Sequence, residues 1–261
     1  MKVYNTINVS IEEKIAKISF NRPSSSNAIS RELLHEFTEA LEDLNKNSSV
    51  RILLIKGEGD RVFCAGADLK ERSSMNRNEI LEFLNNFQYA NEVLENLPFV
   101  TIANINGDAY GGGLEIALSC DFRFMAETAK IGLTEARLGI IPGAGGTQRL
   151  TGLIGMVKAK ELIYTGRRID SKKAFEIGLI NNITTLEYNK DIILEFCNEL
   201  LESAPLSIKA SKKAIQEGSV LHLKEGLEIE RESYLLTLDS EDRIEALTAF
   251  KEKRKPIFKG I

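Results

Sequence analysis

Two glutamates in glycine-rich surroundings are the residues of this chain best suited to chemistry. Glu115 follows Gly111-Gly112-Gly113-Leu114, and Glu135 follows Gly132-Leu133-Thr134. Two carboxyls near one water can divide acid and base work when their environments push their pKa values apart. Three stretches allow backbone to come close to a ligand: Cys64-Ala65-Gly66-Ala67-Asp68-Leu69, Gly107 through Glu115, and Gly139-Ile140-Ile141-Pro142-Gly143-Ala144-Gly145-Gly146-Thr147-Gln148. One backbone N–H from the Ala65-Gly66 turn and one from Gly112, at the start of a helix, are expected to converge on a single oxygen. That is an oxyanion hole, in which each donor is worth about 3–4 kcal/mol in a transition state. Each glutamate also has a plain reading. Glu115 suits a helix N-terminus for the dipole alone, and Glu135 suits a first-turn acid after a Thr134 cap, paired with Arg137 or solvated.

Other chemistries find less support. No Gly-Lys-Ser/Thr occurs, and Gly143-Ala144-Gly145-Gly146-Thr147-Gln148 puts Gln148 where a dinucleotide fingerprint needs its third glycine. Cys64, Cys120 and Cys197 are odd in number and widely spaced, without a Cys-x-x-Cys pair, which argues against a disulfide framework and against zinc; no metal site is expected. Cys64 beside the proposed oxyanion donor invites a nucleophile reading, but no histidine lies near it in sequence, so packing is expected. His35 and His222, the two histidines, read as surface or helix-face residues.

These residues must be held by strands and helices in alternation. Ile7, Val9 and Ile11, then Ala16, Ile18 and Phe20, alternate as two short strands of a meander with one wet face, closed by Asn21-Arg22-Pro23. Ser30 caps a helix striped by Leu33, Leu34, Phe37, Leu41 and Leu44, and Ile52-Leu53-Leu54-Ile55 suits a buried strand. A helix over about 78–96, a strand over 99–103 and a short helix from Gly112 follow; a further helix starts at Ser171 and ends at Gly178. From about residue 188 the pattern is helical throughout. The fold class is α/β, with a core over residues 1–200 and a helical region over 201–261. The strand and helix cycles are too unequal to count as a short fixed-period repeat.

The 261 residues, 43% hydrophobic and 28% charged, are those of a globular chain able to bury roughly 70–75% of its extended surface. Lys2, Glu12, Glu13, Lys14 and Lys17 interrupt the first twenty residues, so a signal peptide or spanning helix is not expected there. A cytoplasmic, reducing location and no membrane partner are the expectation. The net charge of −4 lacks the global footprint of a nucleic-acid binder.

Taken together and in order, Phe63-Cys64-Ala65-Gly66-Ala67-Asp68-Leu69, Asn106-Gly107, Gly111 through Leu118, Cys120-Asp121, Gly132-Leu133-Thr134-Glu135, Gly139 through Gly143 and the tail Ala249-Phe250-Lys251-Glu252-Lys253-Arg254-Lys255-Pro256 closely resemble the crotonase (enoyl-CoA hydratase/isomerase) superfamily. The resemblance spans nearly the whole chain. It implies a spiral of strand-strand-helix units with a C-terminal helical region, and an acyl-CoA thioester substrate whose carbonyl sits between the amides of Ala65 and Gly112. It implies Glu115 and Glu135 as the hydratase pair, because members that isomerise double bonds or cleave thioesters commonly lack one of the two. Glu115 is assigned to water activation and Glu135 to the C2 proton. By the same resemblance Ala65, Ala67, Asp68 and Leu69 line the CoA and acyl channel, Phe250 and Lys253 approach the CoA, no cofactor beyond the substrate's own coenzyme A is needed, and the chain forms a homo-oligomer, a trimer or dimer of trimers.

The segments around Glu115, Glu135 and the tail also look similar to the methylglutaconyl-CoA hydratase branch, which would mean a branched, acidic acyl group; a generic short-chain enoyl-CoA hydratase is the other reading. One relative in that branch binds AU-rich RNA through a lysine-rich helix. Here Lys70 through Glu79 interleaves acids with three basic residues, so no nucleic-acid partner is expected.

Overall fold

The computed structural model describes residues 2–185 and 189–261. The described chain divides into two compact units, Met1–Ile193 and Leu194–Ile261. Two strands open the first unit, β1 (Ile7–Glu12) and β2 (Ile15–Phe20), then α1 (Arg31–Asn45), β3 (Ile52–Gly57), β4 (Val62–Cys64), α2 (Leu69–Arg72) and α3 (Arg77–Glu95). There follow β5 (Val100–Ile105), β6 (Asp108–Tyr110), α4 (Gly112–Leu118), β7 (Phe122–Ala126), β8 (Lys130–Gly132) and a 3-10 turn over Glu135–Leu138. Then come α5 (Gly146–Ile154), α6 (Met156–Thr165), β9 (Ile169–Asp170), α7 (Ser171–Glu176) and β10 (Asn182–Thr184), with α8 (Asn189–Leu201) running across the boundary.

Local sequence accounts for the helix starts. Ser30 Oγ accepts the Leu33 N–H at 3.1 Å, and Asn76 with Glu79 closes a capping box on α3. All five residues of the expected α1 stripe are buried. The six-stranded sheet runs in the order β1-β2-β3-β5-β7-β10 and the four-stranded sheet β4-β6-β8-β9. β1 and β2 form the antiparallel hairpin, but β2 then pairs in parallel with β3, so the hairpin joins a parallel sheet instead of continuing as a meander. Accordingly both faces of β2 become covered at its end, where Ile18, Ser19 and Phe20 are all buried.

Successive long strands β3, β5 and β7 pair in parallel, and so do the short strands β4, β6 and β8 that follow each of them. Each turn of the chain therefore lays one strand in the large sheet, one in the small sheet, and then a helix. This is the spiral of strand-strand-helix units. The turns begin at residues 52, 100 and 122, which explains why no fixed period appears in the sequence. Parallel connection needs such a crossover, and the winding places the ends of β4, β6 and β8 side by side.

The second unit contains α9 (Pro205–Gly218), α10 (Leu223–Leu238) and α11 (Glu241–Glu252). Its tail folds back on α11: Asp242 accepts the N–H groups of Lys259 and Gly260 at 2.6 and 2.9 Å, and Arg254 grips Glu245 through both terminal nitrogens. No helix among the described residues is long and apolar enough to cross a membrane.

Candidate active site

The last residues of β4 and β6 deliver two turns to one place. Asn27 locks the first, its side-chain amide donating to the carbonyls of Glu58 and Val62. The chain from Ser26 to Ile29 then runs beside residues 64–68, and this pairing decides which amides are free. Ala65 N–H donates to Ser26 O at 3.1 Å, Asp68 N–H donates to Ile29 O at 2.9 Å, and Gly66 N–H points to the Cys64 thiol. Among the described residues, Ala67 N–H is the one amide of the turn with no protein acceptor. The expectation that Ala65 supplies the oxyanion donor is therefore corrected: its N–H is already engaged in the loop pairing, and the available donor lies two residues on, at Ala67.

The second turn is shaped by Gly111, whose φ of +50° lets its N–H donate back to Gly132 O at 2.9 Å. Gly112 then starts α4 with an amide that no residue of the helix can accept. That nitrogen lies 3.3 Å from where a Cβ on Gly66 would stand, so the two turns touch. Gly113 seats the helix against β4: a Cβ there would meet Cys64 O at 2.2 Å.

A cavity of about 990 Å³ opens over these turns and is lined by Ala65, Gly66, Ala67, Leu69, Gly112, Glu115 and Glu135. Its opposite wall is apolar and comes from α3, through Ile80, Phe83, Leu84 and Phe87. The two glutamates are both buried within it, yet in different states. Glu115 Oε1 accepts N–H bonds from Ala144 and Gly146, each at 2.8 Å. Burial pushes its carboxyl above the ordinary range, and those two amides oppose the shift. Glu135 Oε2 has no hydrogen-bond partner, and burial, reinforced by the charge of Glu115, pushes its carboxyl up to about 7. The two amides favour the charged form of Glu115, while Glu135 holds its proton increasingly as pH falls below about 7.

Glu115 does stand in the first turn of α4, as its plain reading has it, but the cap, the pairing and the solvation expected of Glu135 are not found. Thr134 makes no side-chain cap, Arg137 donates to Thr165 O at 2.9 Å, and Glu135 is 8% exposed. Glu115 is held by the 144–146 loop, which in turn is clamped. Ala144 O accepts from Asn91 Nδ2 at 2.9 Å and from Arg149 Nη1 at 3.1 Å, and Arg149 also pairs with Glu95 at 2.6 Å. These bonds fix the loop whose Ala144 and Gly146 N–H groups reach Glu115, and Gln88 Nε2 donates at 2.7 Å to Gly143 O, the carbonyl that shares a peptide unit with the Ala144 N–H.

A proton on buried Glu135 has a consequence for stability. Its folded pKa of about 7 lies above its ordinary value of 4.5, so the folded state binds more protons between those pH values and loses stability as pH rises through them. Glu135→Gln removes the titration. We expect the variant's thermal midpoint to exceed the wild type's at pH 8, by an amount corresponding to at most about 3 kcal/mol, with the gap shrinking toward pH 5. A gap independent of pH would show that Glu135 does not titrate in this window.

The family model described as enoyl-CoA hydratase/isomerase matches residues 10–261. The chain belongs to that family. A putative enoyl-CoA hydratase/isomerase of Bacillus subtilis is 44% identical over 249 residues, covering 95% of this chain and 96% of its own. The mitochondrial methylglutaconyl-CoA hydratase of mouse is 43% identical over 252 residues, covering 94% of this chain and 80% of its own. The crystal structure of an enoyl-CoA hydratase from Bacillus anthracis superposes with a TM-score of 0.96 at 42% identity, covering 98% of this chain and all of that one. The family thus includes a protein named for mitochondria as well as bacterial ones.

Within this family fold, not every residue expected at the site reaches the cavity. Asp68 does not line it: its carboxylate receives Arg22 at 3.0 Å and caps α2 through Lys70 and Glu71 N–H, and Arg22 holds it below the usual range against partial burial. This corrects its expected place in the acyl channel. Leu69 does line the cavity and is 56% exposed. Phe250 and Lys253 belong to the second unit, where Phe250 is 84% exposed and Lys253 ends α11 in a left-handed conformation at φ +54°. Burial pushes the Cys64 thiol up to about 12, so it is a packing residue and no nucleophile. Among the described residues no cluster of three or more metal-ligating side chains occurs. Three arginines of the cavity, Arg72, Arg137 and Arg168, went unrecognised in the sequence, where each reads as an ordinary helix or loop cation.

Proposed function

We propose that this protein is an enoyl-CoA hydratase, adding water reversibly to an α,β-unsaturated acyl-CoA to give the 3-hydroxyacyl-CoA. What carries the reading is the pair Glu115 and Glu135 in one cavity, one carboxyl held by two loop amides and one with an oxygen, Oε2, that has no hydrogen-bond partner. The thioester oxygen lies between the N–H groups of Ala67 and Gly112, which stabilise the enolate as it forms. Glu115 takes a proton from water as its oxygen bonds to C3, and Glu135 delivers its proton to C2. The C2–C3 double bond becomes a single bond and the elements of water are added. Coenzyme A is part of the substrate, and no other cofactor enters. Loss of enoyl-thioester absorbance with crotonyl-CoA and longer enoyl-CoAs tests the reading; double-bond migration or thioester cleavage without hydration would refute it.

In this scheme Arg149 is a positioning residue that acts through Ala144 on Glu115. Its charge also opposes the upward shift that burial gives Glu115. Arg149→Gln is therefore expected to lower kcat about tenfold, a coupling near 1.4 kcal/mol, and to move the acid limb of the pH profile to higher pH. In a Glu115→Gln background the same change should cost nothing further. Additive losses would make Arg149 a general structural support.

A further inference from the structure

Among the described residues, one guanidinium of the cavity has no hydrogen-bond or ion-pair partner. Arg168 stacks over the Tyr110 ring with its guanidinium carbon 4.1 Å from the centroid, and Arg137 donates to Thr165 O. Arg72 also lines the cavity and is half-buried, yet among the described residues it has no ion-pair or hydrogen-bond partner for its side chain. Its backbone is fixed. Arg72 N–H donates to Asp68 O at 2.8 Å as the last residue of α2, and Asp68 is anchored by Arg22. The cation is thus carried at the cavity wall on the helix that follows the Ala67 turn, in a cavity whose lining also includes the apolar Ile80, Phe83, Leu84 and Phe87. It shares the cavity with Glu115 and Glu135, and its charge opposes the effect of burial on both.

Neither glutamate hydrogen-bonds this half-buried cation, and a neutral hydrocarbon tail packed over it would remove its remaining water. A carboxylate reverses that balance, because the planar fork of arginine matches it with two parallel N–H bonds. The geometry points to Arg72 as the specificity residue of this site, selecting enoyl-CoA substrates whose acyl group ends in a carboxylate. The inference rests on the reading of the cavity as an acyl-CoA site and names which acyl groups it takes.

Glutaconyl-CoA is crotonyl-CoA with a terminal carboxylate, so the two thioesters isolate the group in question. Wild-type enzyme is expected to favour glutaconyl-CoA in kcat/KM by about 10–100-fold, the range of one charge-assisted hydrogen-bonded pair. Arg72→Met should bring that ratio near one, and Arg72→Lys should leave an intermediate ratio. Both substrates carry the same CoA, so any contact of Arg72 with a phosphate cancels in the ratio. A wild-type ratio near one, or a ratio that Arg72→Met leaves unchanged, overturns the proposal. Calorimetric binding of the unreactive glutaryl-CoA and butyryl-CoA separates the two readings. If neither enoyl thioester is hydrated but glutaryl-CoA still binds more tightly in an Arg72-dependent manner, the hydratase reading falls and the carboxylate subsite stands. Equal binding of the two by wild type overturns the subsite.

Discussion

Glu115→Gln is expected to lower kcat for hydration by about 10²–10⁴-fold, the range of one positioned acid or base, with the fold intact. The glutamine carbonyl oxygen can still accept the N–H groups of Ala144 and Gly146, so the loop that Glu115 organises keeps its partners. What the amide lacks is a basic oxygen to receive the proton of water. Glu135→Gln should cost a comparable factor for the opposite reason, since an amide N–H is no acid for C2. Wild-type kcat/KM should then be bell-shaped, with its basic limb near pH 7 where Glu135 loses its proton. Either variant hydrating a good substrate at more than a tenth of the wild-type rate would sink the two-carboxyl mechanism. So would a basic limb that survives Glu135→Gln.

The backbone architecture was legible where side chains repeat on a strong period, and illegible where only backbone decides. The α1 stripe and the apolar run Ile52–Ile55 announced themselves, because burial of one helix face or both strand faces selects residue type at every position. The three-residue strands β4, β6 and β8 did not, because three residues carry no period, and half the spiral was therefore hidden. The two glutamates were legible from their glycine-rich company. The oxyanion donor was misplaced by two residues because N–H direction depends on pairing with Ser26–Ile29, some forty residues away in sequence, which no local pattern encodes. Arg72 was invisible for a related reason. In sequence it is one cation among several on a charged segment, and only the fold reveals that its neighbours Lys70 and Glu71 do not line the cavity while it does.

Gly66→Ala should lower kcat/KM by about 10²–10³-fold, the usual loss for a disabled oxyanion donor, although the methyl group touches neither glutamate. Gly66 has a φ of +94°, where an L side chain is strained, and its added Cβ would stand 2.8 Å from Tyr110 O and 3.3 Å from Gly112 N. Relief of that contact pushes the 65–67 turn away from the start of α4, separating the amides of Ala67 and Gly112. Substrate binding through the α3 wall depends on neither amide, so the loss should fall on kcat more than on KM. The substitution moves Ala65 and Ala67 together, so a finer change distinguishes the corrected donor from the one first expected. If Ala65 were the donor, a change confined to the Ala67 amide, such as replacing it with an ester oxygen by semisynthesis, would leave activity intact. With Ala67 as the donor, that single-atom change should reproduce most of the Gly66→Ala loss.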